Sequence, residues 1–145
     1  MTIALKQENV ITEIGPGGIL HSLCSTIAYR LESGKWGEKY PLIMNGLYQG
    51  MLGQKDAGLA LAEMQAIKEG LSQLKLDQVI WDIENPLQLP PWGLNVGGDL
   101  KNIDSYYVTT SGRNLVNEII DNLESLKEFG GTLEIISYDG RPPVL

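Results

Sequence analysis

The sequence predicts an α+β fold, a mainly antiparallel sheet with helices packed on one face. Two observations carry this. Short β-like stretches sit near both ends of the chain, while several segments between them place apolar residues at helical spacing. The resulting order, β-β-α-α-α-β-β-α-β, lacks the strict alternation of a doubly wound parallel sheet. With 145 residues, 43% of them apolar, the chain is long enough to bury its own core and is expected to form a single domain over residues 1–145.

Thr2 to Lys6 and Val10 to Ile14, joined by the polar Gln7-Glu8-Asn9, read as a hairpin. Gly15-Pro16-Gly17-Gly18 breaks the chain before a helix whose Leu20, Leu23, Ile27 and Leu31 share one face, and which should end near Ser33-Gly34. Pro41 fits the first turn of a short second helix carrying Leu42, Met44, Leu47, Tyr48 and Met51, stopped by Gly50 and Gly53. From about Asp56 to Leu74, the residues Leu59, Met64, Ile67, Leu71 and Leu74 form the apolar stripe of a third helix, with alanines at 57, 60, 62 and 66 raising its propensity. Leu76 to Ile83 and Ser105 to Thr110 read as strands by their β-branched and aromatic content. A last helix, from about Gly112 to Phe129 with Leu115, Ile119, Leu126 and Phe129 on one face, is capped by Gly130-Gly131, and Thr132 to Tyr138 forms a final strand.

Catalytic inventory is thin. His21 and Cys24 are the only histidine and cysteine, three apart on the first helix. A thiolate with an imidazole would be a nucleophile–base pair, yet no third orienting group is identifiable, and cysteine is among the most buried residue types. A small enzyme or ligand-binding domain with a pocket near His21 and Cys24 is therefore the alternative rather than the leading reading. An internal disulfide is impossible, and one Cys and one His leave only carboxylates as further metal ligands, so neither metal nor cofactor is expected. Asp99, Asn102 and Asp104 lack the glycine and terminal glutamate of a calcium loop and read as turn-forming residues. Gly15-Pro16-Gly17-Gly18 lacks the lysine of a phosphate loop and reads as a helix-start turn. Asp82 and Glu84, two apart on the expected strand, would share a face and could act as acid and base, though exposed acidic pairs are commonly just solvated.

Charge says more. The net charge of −7 arises entirely after residue 75, where eleven acids face four bases, whereas the first 75 residues hold seven of each. An acidic surface repels nucleic acid and anionic membrane and steers a basic protein toward it; the bland reading is a merely soluble chain. The segment Asn85 to Gly98 holds three prolines, three glycines and Trp92, and is flanked by Asp82, Glu84, Asp99 and Asp104. Pro90-Pro91 fixes the approach to Trp92, which is then either an aromatic anchor presented to a partner or a plug folded back onto the core. Trp36 and Trp81 read as packing residues, and of the adjacent Tyr106 and Tyr107 one should face the core and the other solvent. The N-terminus lacks a basic region followed by an apolar one, and no apolar run reaches the ~18 residues of a membrane span, so a cytoplasmic protein is expected.

The runs STIAYRLE (Ser25 to Glu32), WGEKYPLIMNGLYQG (Trp36 to Gly50), VIWDIE (Val79 to Glu84), PPWG (Pro90 to Gly93) and YYVTTSG (Tyr106 to Gly112) resemble a bacterial polymorphic-toxin immunity family, number seventy in its series. The likeness covers roughly residues 10 to 137. It implies a cytoplasmic, non-enzymatic antidote that binds the C-terminal domain of a cognate toxin and blocks it. No binding motif can be carried over. The residues themselves nominate Asp82, Glu84, Trp92, Asp99 and Asp104 as toxin-binding, with a basic partner such as a nuclease domain met by occlusion.

Overall fold

In the computed structural model, which describes residues 2–75, 78–88 and 106–137, the expected hairpin is formed by Thr2–Gln7 (β1) and Val10–Pro16 (β2). The turn Glu8-Asn9 closes it with Gln7 opposite Val10. The final segment, Thr132–Ser137 (β4), pairs antiparallel with β1, placing Ile135 opposite Leu5. A short strand, Met51–Gly53 (β3), pairs antiparallel with β4, giving the order β2-β1-β4-β3. Period-2 alternation puts Ile3, Leu5, Leu133 and Ile135 on the face that meets the helices, and leaves Lys6 and Glu134 on the other. The fold is α+β, a four-stranded antiparallel sheet with helices packed against it.

Gly17–Thr26 (α1) continues as a π-helical turn over Ile27–Leu31 and ends at Ser33 and Gly34, both at positive φ. Pro41 opens a second π-helical turn, Leu42–Leu47. Two carboxylates fix this region by accepting backbone N–H groups that would otherwise be orphaned. Glu32, 4% exposed, accepts from Gly37 (3.1 Å), Lys39 (2.9 Å) and Tyr40 (2.9 Å). Glu63 accepts from Leu42 (3.3 Å) and Ile43 (3.1 Å) at the start of the π turn. Burial still raises the Glu63 carboxyl above its ordinary range, the two N–H groups oppose that, and the Glu32 charge adds to it.

Gln54–Ser72 (α2) buries Ala57, Ala60, Met64, Ile67 and Leu71. Leu59, expected in that stripe, is 68% exposed, because the small alanines form the packed face. Leu115–Phe129 (α3) packs on α2 and starts at Asn114, whose side chain accepts from Asn117 N–H (3.0 Å). It ends at Gly130, at φ 84°. At the following Gly131 a Cβ would collide with the Glu8 carboxylate, which accepts from Thr132 N–H (3.2 Å).

Five further expectations are corrected. Met51 belongs to β3 rather than to the second helix. Phe129, the last residue of α3, is 76% exposed rather than on its buried face. Residues 78–83 form no strand, and residues 106–110 make only an isolated bridge, Val108 with Asn114. Tyr106 and Tyr107 are both buried, edge to face at 4.9 Å, because this segment turns inward onto α1 and the start of α3 instead of lying in a sheet.

Candidate functional site

Hydroxyl groups hold the segment 78–88 in place of a neighbouring strand. Thr26 Oγ1 accepts from Ile80 N–H (2.9 Å), and Ser22 Oγ donates to the Ile80 carbonyl (2.9 Å). The buried Tyr107 hydroxyl bridges the two, 2.8 Å from Thr26 Oγ1 and 3.0 Å from Ser22 Oγ. All of these groups are buried, so each bond made inside the protein spares an unsatisfied polar atom. The result is a latch between α1 and the chain on either side of Ile80.

Two residues beyond the latch, Asp82 Oδ1 accepts from Glu84 N–H (3.0 Å) in a local turn and lies 3.3 Å from His21 Nε2. A carboxylate only accepts, so His21 Nε2 carries the proton directed at Asp82, and His21 Nδ1 lies 3.0 Å from the Tyr48 hydroxyl. Burial raises the Tyr48 phenol above its ordinary range. The Glu84 N–H, and then the His21 bond, hold the Asp82 carboxyl below its ordinary range. Trp36 completes the cluster, 6.5 Å from the His21 ring and 5.4 Å from that of Tyr48, with its Nε1 donating to the Met44 carbonyl at 3.1 Å. Glu84 is exposed, and Leu87 is 92% exposed. On the α1 side, Arg30 donates to the Gln78 carbonyl (3.1 Å) and lies 4.9 Å from the ring centroid of the exposed Tyr29.

Of the residues nominated from sequence, Asp82 and Glu84 come together, through a turn rather than by facing the same way on a strand. Trp92, Asp99 and Asp104 lie outside the described residues. Sequence reasoning does not reveal His21 as the partner of Asp82, or Tyr48 as the partner of His21. They are 61 and 34 positions from Asp82, and no spacing pattern connects such distances.

Residues 5–135, from β1 to β4, match the family model of immunity protein 70. The chain belongs to the immunity protein 70 family. No curated protein and no solved structure matches it. The match bears out the resemblance drawn from the STIAYRLE, VIWDIE and YYVTTSG strings, and it includes the latch and the His21–Asp82 pair.

In this immunity protein 70 family member, His21 and Cys24 face different surroundings. Cys24 lines an apolar cavity of about 10 Å³ with Leu20, Ile27, Ile43 and Met64, room for no more than a water molecule. Burial drives its thiol far above the ordinary range, and the Glu32 charge adds to that rise, so no thiolate is available for attack. His21 turns instead toward Tyr48 and Asp82. Among the described residues no group of His, Cys, Asp and Glu is placed to hold a metal ion, and no helix is long and apolar enough to cross a membrane.

Proposed function

We propose that this protein neutralises a cognate toxin by stoichiometric binding, that the toxin domain is basic and most plainly a nuclease, and that the surface of Asp82 and Glu84 makes part of the contact. Membership of the immunity protein 70 family is the observation that carries the reading. The geometry supports the choice of surface. Two carboxylates and the exposed Leu87 project from a segment that the Ser22–Thr26–Tyr107 latch holds rigid, beside an aromatic cluster of His21, Trp36 and Tyr48. A preorganised acidic surface loses little entropy on binding and steers a basic partner, occupying the site where nucleic acid would otherwise lie. Trp92, Asp99 and Asp104 extend the same contact in this reading.

The test is co-expression with the toxin domain encoded beside this chain. Protection of the cells, together with a one-to-one complex on size-exclusion chromatography, is expected. Neither protection nor complex would sink the reading.

A further inference from the structure

A second surface lies far from Asp82 in sequence, where the β1–β2 turn faces α3. A groove of about 530 Å³ opens there, with Glu8 and Val10 on the hairpin side and Glu118, Asp121, Ser125 and Phe129 along α3. The α3 residues fall at intervals of three and four, one face of the helix. Its two apolar members are conspicuously wet: Val10 is 63% exposed and Phe129 76%. Its three charged members are all carboxylates. Glu8 is held by Thr132 N–H, Glu118 has Arg113 at 3.7 Å, and Asp121 has no hydrogen bond or ion pair among the described residues.

We propose that this groove is a docking surface for a lysine- or arginine-bearing segment of a partner protein. It takes the aliphatic stem between Val10 and Phe129 and the cationic head among Glu8, Glu118 and Asp121. Basic side chains have the two-part chemistry the groove presents, an apolar stem and a charged tip. Charge decides against the other occupants. Nucleic acid would bring phosphates against three carboxylates, and a second copy of this chain carries a net charge of −7. The inference rests on the proposed function only for the identity of the partner, the toxin domain; the position of the contact follows from the groove itself. It also moves part of the acidic binding surface into the first half of the sequence, since Glu8 joins Glu118 and Asp121.

The test is an amide NMR titration of the full chain with a short synthetic peptide of alternating lysine and leucine, and with its glutamate-for-lysine counterpart. Saturable shifts are expected at Glu8, Val10, Glu118, Asp121 and Phe129 with the lysine peptide and not with the other. Glu118→Gln combined with Asp121→Asn should weaken binding about tenfold, and Phe129→Ser should weaken it as well, each with an unchanged thermal melting point. Shifts that are absent, scattered over the surface, centred on Asp82 and Glu84, or undiminished in the variants would overturn the inference while leaving the co-expression result untouched. Failure to protect cells, with the peptide still seated in the groove, would overturn the proposed function alone.

Discussion

His21 Nε2 lies 3.3 Å from Asp82 Oδ1, tying α1 to a segment 61 residues away and fixing the direction in which the Asp82–Glu84 turn faces. Both side chains are about one-third exposed, so the bond itself contributes little to stability, of order 1 kcal/mol or less. Its value to binding is orientation. Asp82→Lys with Glu84→Lys should therefore leave the thermal melt nearly unchanged and slow association with a basic toxin domain about tenfold at low salt. Raising salt from about 50 to about 500 mM shortens the screening length roughly threefold and should bring the two association rates together. Stopped-flow or biolayer measurements across that range check this; equal rates at all salt concentrations would move the interface elsewhere.

The same carboxylate sets a pH dependence. Asp82 titrates below its ordinary 3.8 in the folded protein because the Glu84 N–H, and then His21, favour its charged form. The stability it contributes is therefore fully present above 3.8 and is lost as pH falls through the lowered folded value. Asp82→Asn should destabilise slightly at neutral pH, and the gap between the variant and the unsubstituted protein should close in the acid limb. Urea unfolding at a series of pH values measures the gap.

Glu32 contributes on a different scale. One buried carboxylate satisfies three backbone N–H groups of the Gly37–Tyr40 loop, and deleting it orphans the buried pair at Gly37 and Tyr40 and the part-buried one at Lys39. Glu32→Ala is expected to cost about 3 kcal/mol or more in urea unfolding, and Glu32→Gln, which keeps one acceptor oxygen, about half as much. Equal losses for the two would mean that the oxygens are not what holds the loop.

The elements legible in the sequence are those whose signal is local. The β1–β2 hairpin, α2, α3 with its stop at Gly130, and strand β4 follow from alternation, helical spacing and glycine stops. The misread elements are decided by distant groups. Val79-Ile80-Trp81 has strand composition, but Ile80 finds its hydrogen bonds on the Ser22 and Thr26 hydroxyls, and serine or threonine in a helix does not announce a partner 54 to 58 residues away. Three-residue β3 is too short to alternate and exists because β4, whose residues pair with it across 79 to 83 positions, offers an edge. In the candidate site Asp82 and Glu84 were visible as charges. Their neighbours His21 and Tyr48 were not, and the acidic groove was hidden because Glu8 and α3 meet only in the folded chain.

Cys24 offers a test of burial by chemistry. Its thiol, 3% exposed and titrating far above the ordinary range, should resist iodoacetamide in the native protein at mildly alkaline pH and react stoichiometrically once urea unfolds the chain. Modification detected by intact mass within minutes under native conditions would reopen the question of a reactive thiol.

Tyr107 links stability to the binding surface. Its hydroxyl lies against Thr26 and Ser22, both of which also bond to the backbone of Ile80 two residues before Asp82. Tyr107→Phe removes one hydroxyl from a buried network and leaves the ring in place, so about 1–2 kcal/mol of unfolding free energy should be lost. The paired bonds to Ile80 survive, and the latch loosens rather than opens. Hydrogen exchange at the Ile80 amide should therefore accelerate more than global destabilisation accounts for, and toxin binding should weaken through faster dissociation while association is unchanged. A variant that loses stability with no selective change at Ile80 would show that the tyrosine supports the core alone and that the Asp82–Glu84 turn is positioned by its own bonds.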